Sequence, residues 1–400
     1  MLFITLLYLF ASFAALGEAR PSLQLFSRRS PTNDVVKLPF NKRLSQRGSV
    51  KRDGLLPVTL TNDAISYDIE VEVGTPPQTL FLQLDTGSSD LWVLTPGSCD
   101  TTTCKCPTGG CTYFDAESST TAELLDNSEV QFNFTYGSGQ VSGKYVTDNI
   151  EVGGAQLSDA IIALAVDDIQ ESRGILGVGL PTGESHDIPT HAGILELLVE
   201  QGFISSTSYS LYLDDYALQT GQVIFGGFDT SLYTGQLVAL PIVPSSDGDS
   251  RLTVEWTGLS IYVEGSMKYS SGGSSLDAAP ATLLDSGTTL AYVPNDIFQA
   301  FAEIFSLEQD PDTGVWLGLC TIQSWNVRLE FAFGMAVTIS VPASQILRAW
   351  DSSGTYCQFG FQPAGDSTLY ILGDAFLTSA YVYYDFNAMQ IGLAQAGWTA

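Results

Sequence analysis

Two short stretches, Leu84-Asp85-Thr86-Gly87-Ser88-Ser89 and Leu284-Asp285-Ser286-Gly287-Thr288-Thr289, repeat one grammar 200 residues apart. Each leaves an apolar run, Leu80-Phe81-Leu82 before the first and Ala281-Thr282-Leu283 before the second, for an Asp, a small hydroxyl residue, a Gly and further hydroxyls. Such a run reads as a buried strand ending in a tight turn that presents a carboxylate. A second echo lies downstream: Ile175-Leu176-Gly177 follows Asp85 by 90 residues and Ile371-Leu372-Gly373 follows Asp285 by 86. The matched spacings indicate a duplicated lobe. Lobes related by a pseudo-two-fold bring equivalent loops together at the axis, so Asp85 and Asp285 are expected to face each other.

A chain of 400 residues with 44% hydrophobic content can bury a large core, and its length suggests two domains. Charged residues are only 15%, and Thr, Ser, Val, Ile and Tyr fill the alternating runs, which favours an all-β fold. The ends differ from the middle. Leu2 to Leu16 is an apolar run without a charge, followed by small residues at Gly17 and Ala19, so residues 1–19 read as a secretory signal peptide. The run is too short for a membrane span. Ile391 to Ala400 carries no long apolar tail, so no membrane anchor is expected.

Residues 20–52 hold nine basic residues against one acid, Asp34, and end in the dibasic pair Lys51-Arg52. This segment reads as a basic prosegment, with the mature chain starting near Asp53. Nine of the 16 basic and two of the 44 acidic residues lie before that point, leaving seven against 42 and a formal charge of about −35. Long-range attraction holds a basic segment on such a body at neutral pH, and acid weakens it by protonating carboxylates. The expectation is an acid-released prosegment. The same charge argues against binding nucleic acid.

Along the chain, Tyr67 to Val73 alternates apolar and polar residues, Gly74 to Gln78 is turn chemistry, and Thr79 to Leu84 is the strand that delivers Asp85. Val130 to Val141 alternates strictly, placing Phe132, Phe134 and Tyr136 on one face with Gly137 and Gly139 at a hairpin tip. An aromatic-lined hairpin of this kind has the shape of a lid. Asn133-Phe134-Thr135 is a glycosylation sequon on the strand's outward side. Helical spacing appears in Pro189 to Gly202 and in Asp296 to Phe305, where Ile297, Phe301 and Phe305 recur. Tyr209 to Leu213 and Gln222 to Phe225 read as strands, and Ser270 to Ser275 as a surface loop.

Cys99, Cys104, Cys106 and Cys111 could ligate zinc, but behind a secretory signal they point to disulfides. A bridge between Cys104 and Cys106 would be strained, which leaves two pairings open.

The two Asp-Thr/Ser-Gly-Ser/Thr stretches and the two apolar-apolar-Gly segments resemble the pepsin family of aspartic peptidases, over nearly everything after residue 52. The resemblance implies a bilobal all-β fold with an N-terminal lobe over 53–240 that carries the flap, and a C-terminal lobe over 241–400. Phe225-Gly226-Gly227-Phe228-Asp229 followed by Tyr233-Thr234-Gly235 is similar to the family's crossing between lobes. It implies Asp85 and Asp285 as the catalytic pair, Ser88 and Thr288 as hydroxyls steadying their outer oxygens, and Thr86 and Ser286 as the hydroxyls that cross-link the loops. Gly87 and Gly287 allow close approach and offer amide donors. Ser286 stands where pepsin has Thr, which keeps the hydroxyl. Tyr136, Gly137 and Ser138 match the flap, Trp92 matches the indole partner of Tyr136, and Ile175 matches the cleft wall.

By the same resemblance, Cys99 pairs with Cys104, Cys106 with Cys111, and Cys320 with Cys357. The dibasic prosegment end and the Cys-rich insert are similar to the yapsin and candidapepsin branches of secreted fungal peptidases. The implied function is that of a secreted, extracellular acid endopeptidase that hydrolyses polypeptides through a water activated by the aspartate pair. Neither metal nor other cofactor is expected, the prosegment is its own partner, and a monomer is expected. Apolar residues are expected near the scissile bond, with weak preference for Lys because Ser138 stands where some relatives carry Asp.

Three rivals fare worse. A non-catalytic binding protein of this family would lose one Asp or its hydroxyls, and this chain keeps them all. A glycoside hydrolase could use two carboxylates but does not call for the flap or the duplication. A serine hydrolase would need a Gly-x-Ser-x-Gly elbow, and the two histidines, His186 and His191, sit in a loop with too few neighbours for a metal role.

Overall fold

The computed structural model describes residues 55–399 apart from 63–65, 100–105, 107–109, 126–131, 136–139, 167–172, 184–190, 217, 219, 246–250, 272–280 and 351–352. The expected signal peptide and prosegment, Cys104, the expected flap residues Tyr136, Gly137 and Ser138, and His186 therefore lie outside the described residues. Strands dominate, as composition led us to expect; among the described residues the α-helices are Ile194–Glu200, Asn295–Phe305 and Asp374–Leu377.

The sequence repeat is realised as two copies of one five-strand weave. In the first, Tyr67–Val73 runs antiparallel to Gln78–Asp85, which runs parallel to Ile175–Gly177. Ile175–Gly177 is antiparallel to Leu91–Leu94, which is parallel to Ala155–Ala165. The second copy repeats each relation with Thr253–Glu255, Ala281–Leu284, Tyr370–Leu372, Ala291–Val293 and Phe361–Pro363. The register is conserved too: Leu84 lies opposite Leu176, and Leu284 opposite Leu372. The pairing explains the leucines of these runs: Leu80, Leu82 and Leu84 share one buried face of their strand while Phe81 on the other is 41% exposed, and Leu176, Leu283 and Leu372 are buried too.

It also explains the glycine that closes each apolar-apolar-Gly segment. A Cβ on Gly177 would stand 2.6 Å from the Ser89 carbonyl carbon, and one on Gly373 would run into the Thr288 and Leu290 carbonyl oxygens. The backbone here brackets the Asp loops directly: Val178 N–H donates to Asp85 O at 2.8 Å, and Asp374 N–H to Thr288 O at 2.9 Å.

One sheet carries strands from both halves. Ser208–Leu213 pairs on one side with Thr220–Phe225 and on the other with Ala380–Asp385, which pairs with Gln390–Ala396; Tyr233–Pro241 closes the edge. Leu56–Asn62 links Thr220–Phe225 to Tyr67–Val73, so this joining sheet runs into the first weave. At its centre Tyr209 stacks on Tyr384, with ring centroids 4.7 Å apart.

The helix Asn295–Phe305 follows Pro294 and ends where Ser306 turns left-handed at φ 51°. It buries Ile297, Phe298, Phe301 and Phe305 on one stripe. Phe301 meets Phe361 and Phe359 at 5.4 and 5.5 Å, and burying each such ring stabilises the fold by about 2–3 kcal/mol. The other helix is shorter than its periodicity suggested: it covers Ile194–Glu200, starting after Gly193, and 184–190 lie outside the described residues. The loop expected at Ser270 to Ser275 needs correction at its first two residues, 272–275 lying outside the described residues. Ser270 and Ser271 belong to the strand Ser266–Ser271 and pair with Ser260 and Leu259, because Ser271 Oγ accepts from Leu259 N–H at 3.1 Å.

Disulfides join Cys106 to Cys111 and Cys320 to Cys357, each with Cα atoms 5.0 Å apart. Cys99 is disulfide-bonded as well. The sulfurs of Cys99, Cys106 and Cys111 lie within 4.8 Å of one another, yet bonded sulfurs lack the thiolate that zinc needs. Among the described residues no helix is long and apolar enough to cross a membrane.

Candidate active site

Asp85 is the last residue of its strand and Asp285 follows directly on Ala281–Leu284, so both carboxyls emerge where a buried strand becomes a turn. Each is only 6% exposed. The turn that follows satisfies both oxygens locally. Gly87 N–H donates to Asp85 Oδ1 at 2.7 Å and Ser88 Oγ to Asp85 Oδ2 at 2.5 Å. Gly287 N–H donates to Asp285 Oδ1 at 2.8 Å and Thr288 Oγ1 to Asp285 Oδ2 at 2.5 Å. The repeated sequence grammar is thus a repeated hydrogen-bond pattern, with charge-assisted donors that suit an ionised carboxylate.

The two turns are latched to each other through Thr86 and Ser286, both buried. Thr86 Oγ1 donates to Leu284 O at 2.8 Å and accepts from Ser286 N–H at 2.9 Å. Ser286 Oγ donates to Leu84 O at 2.7 Å and accepts from Thr86 N–H at 3.2 Å. Each hydroxyl therefore uses its donor and an acceptor site across the pseudo-two-fold, so neither loop can shift without straining four bonds to the other. The glycines show how close the halves come. A Cβ on Gly87 would lie 2.7 Å from Asp285 Oδ1, and one on Gly287 would collide with Asp85 Oδ1.

Electrostatics follow from this crowding. Burial first, and the neighbouring Asp85 charge second, hold the Asp285 carboxyl well above the usual carboxylate range, against the opposing pull of its Thr288 and Gly287 donors. Behind the loop, Asp374 is 1% exposed; burial raises it strongly, Arg348 pulls it down and Asp285 pushes it up. Carboxyls raised on folding give stability that is fully present below their unfolded value, near ~4, and is lost as pH climbs toward the folded value. The melting temperature is therefore expected to fall between pH 4 and pH 7. Asp374→Asn, which removes one ionisation, should flatten that slope in parallel thermal scans. Equal slopes in parent and variant would contradict this assignment, since the self-repulsion of the acidic surface is common to both.

Of the other expected site residues, Trp92 and Ile175 pack together with Phe132 and Tyr145 in a buried cluster beside the first loop. Asn133 is exposed on the strand Phe132–Thr135. His191 is half-buried just before the helix Ile194–Glu200. Three neighbours of the pair escaped the sequence reading: Gln83, whose Nε2 donates to Gly287 O at 2.7 Å; Tyr384, whose OH donates to Leu284 O at 3.2 Å; and Asp374. A signal existed for Gln83, a polar residue interrupting Leu80-Phe81-Leu82 and Leu84. Tyr384 sits in an apolar aromatic run and gave none.

The chain matches the family profile described as eukaryotic aspartyl protease over residues 66–396. The "Probable aspartic-type endopeptidase opsB" of Aspergillus oryzae is 35% identical over 356 residues, covering 86% of this chain and 71% of its own length. Candidapepsin-1 and "Secreted aspartic protease 1", both of Candida albicans, are each 33% identical over 420 residues, covering 100% of this chain and 98% of their own.

Proposed function

Because the chain belongs to the eukaryotic aspartyl protease family, we propose that it hydrolyses peptide bonds through a water molecule activated by Asp85 and Asp285. Its class, an aspartic-type endopeptidase acting on polypeptides, comes with the family; the assignment of roles to residues is our own. The observation that carries it is the close opposition of two buried, identically hydrogen-bonded carboxyls, near enough that each loop's glycine has no room for a Cβ beside the opposite Asp.

Like charges held so close do not both ionise, and the pair shares one proton, which is the known behaviour of aspartic-protease dyads. The ionised partner takes a proton from water as that water attacks the peptide carbonyl, and the protonated partner donates to the carbonyl oxygen. Thr86 and Ser286 fix the separation; Ser88, Thr288 and the two glycine amides steady the charge. The proton taken from water then passes to the leaving amine as the C–N bond breaks, and a hydroxyl proton of the tetrahedral intermediate returns to the dyad as the C=O bond re-forms. Turnover of a denatured protein at acidic pH, with and without a pepstatin-like inhibitor, tests the reading: inhibited cleavage is expected, and cleavage indifferent to the inhibitor would count against it.

The finer reading includes secretion to the extracellular space after removal of residues 1–19, supported by the signal-like run and by the secreted relative. It keeps the two lobes at 53–240 and 241–400, a flap carrying Tyr136, Gly137 and Ser138, and apolar preference near the scissile bond from Ile175 and that flap. Asn133, exposed on its strand, is the proposed glycosylation site. The basic segment 20–52 is proposed as an inhibitory prosegment. Precursor incubated at graded pH should lose it only as the pH enters the carboxylate range, followed by intact mass; release at an unchanged rate at pH 7 would contradict the electrostatic account.

A further inference from the structure

Side chains alternate along the strand Gln78–Asp85, so Gln83, two residues before Asp85, shares that carboxyl's side of the strand. Its carboxamide reaches across the pseudo-two-fold and donates to the Gly287 carbonyl at 2.7 Å. Gly287 is also the residue whose N–H holds Asp285 Oδ1. Both polar ends of this glycine are therefore fixed, one by its own Asp and the other by a side chain from the opposite half. The equivalent position two residues before Asp285 is Leu283, which has no donor. Duplication thus fails at a residue that touches the other catalytic loop.

We propose that Gln83 is a positioning residue for peptide hydrolysis, holding the Asp285 loop through the Gly287 carbonyl and making the two halves of the dyad unequal. The inference rests on the dyad reading above. Its physical basis is the freedom of glycine: with no Cβ to restrict it, Gly287 keeps its amide on Asp285 only if something else limits the backbone. The latch through Thr86 and Ser286 restrains the residue before it, and Gln83 restrains the carbonyl after it. Without that bond the amide spends less time on Asp285 Oδ1, the anionic form of the dyad loses a donor, and its first ionisation moves to higher pH. The titratable groups that feel the charge of the dyad are Tyr209 and Tyr384 from the joining sheet and Asp374, with Arg348 acting on Asp374; the Gln83 carboxamide donates instead to the Gly287 carbonyl.

The test is kcat, KM and the pH profile of processed parent, Gln83→Leu and Gln83→Glu on one peptide. Gln83→Leu copies the second half; it should lower kcat about tenfold with KM within about twofold, and move the acid limb of the profile upward. Gln83→Glu can donate to the Gly287 carbonyl only while protonated. It should match the parent at the lowest pH and lose activity as its own carboxyl ionises, before the parent does. Parent-like kcat and limbs in Gln83→Leu would overturn the proposal, as would lowered thermal stability with an unmoved profile. Should Gln83→Leu fail to fold, the near-isosteric Gln83→Glu decides alone: a pH-independent rate ratio to the parent overturns the proposal. Asp85→Asn, run beside them, separates the two failures, because full activity there defeats the dyad itself whereas a parent-like Gln83→Leu defeats only the role of Gln83.

Discussion

Asp85→Asn and Asp285→Asn are each expected to lower kcat by about ten-thousandfold at the acid optimum, the scale seen when a central catalytic group is disabled without moving its neighbours. Asn keeps the volume; its Oδ1 can still accept from the glycine amide, while its Nδ2 donates to the Ser88 or Thr288 hydroxyl that formerly donated to the carboxylate. What it removes is the ionisable oxygen pair, so no shared proton can form and no carboxylate remains opposite a carboxylic acid. The fold should survive, and with less electrostatic opposition, because a buried repulsion has gone. Single-turnover assays on processed protein, with circular dichroism as the folding control, check both halves of the expectation. Activity within tenfold of the parent in either variant would contradict the two-carboxylate mechanism.

The second large effect concerns two glycines that perform no proton transfer. Gly287→Ala places a methyl group against Asp85 Oδ1, and Gly87→Ala places one 2.7 Å from Asp285 Oδ1. Neither neighbour is a free side-chain end that can swing away, because Asp85 and Asp285 are each held by two short hydrogen bonds and their loops are latched by Thr86 and Ser286. The carboxyls must separate, and misplacement of reacting groups by about 1 Å costs on the order of a hundredfold in rate. A loss of about a hundredfold or more in kcat is expected for each variant, read from steady-state kinetics. If either Ala variant kept parent kcat, the close approach of the halves would be refuted.

How much of this was legible beforehand depends on how local the cause is. The strands ending at Asp85 and Leu284 were visible because leucines fill their buried positions, Leu80, Leu82 and Leu84 in the first and Leu283 and Leu284 in the second, and the turns because Asp, hydroxyl and Gly are the residues that close them. The opposition of Asp85 and Asp285 followed from duplication, which is a statement about symmetry and survives ignorance of every contact. Gln83 and Tyr384 did not surface, since their importance lies in partners 204 and 100 residues away, and no periodicity encodes a hydrogen bond across a pseudo-two-fold. Asp374 was hidden for another reason: it follows Ile371-Leu372-Gly373 in an apolar setting where a carboxyl reads as an ordinary helix-start residue, and its burial appears only when Asp374–Leu377 is seen beneath the Asp285 loop. Ser270 and Ser271 misled in the opposite direction, because small polar residues signal loops unless a neighbouring strand supplies the ladder.

The most direct trial of the account is neutron diffraction from deuterium-exchanged crystals of the processed protein at mildly acidic pH, where proton positions on Asp85 and Asp285 are seen rather than inferred. A single deuteron for the two carboxyls, with a water molecule bound to both, is the predicted result. Two deuterons, none, or carboxyls too far apart to touch one water would contradict it.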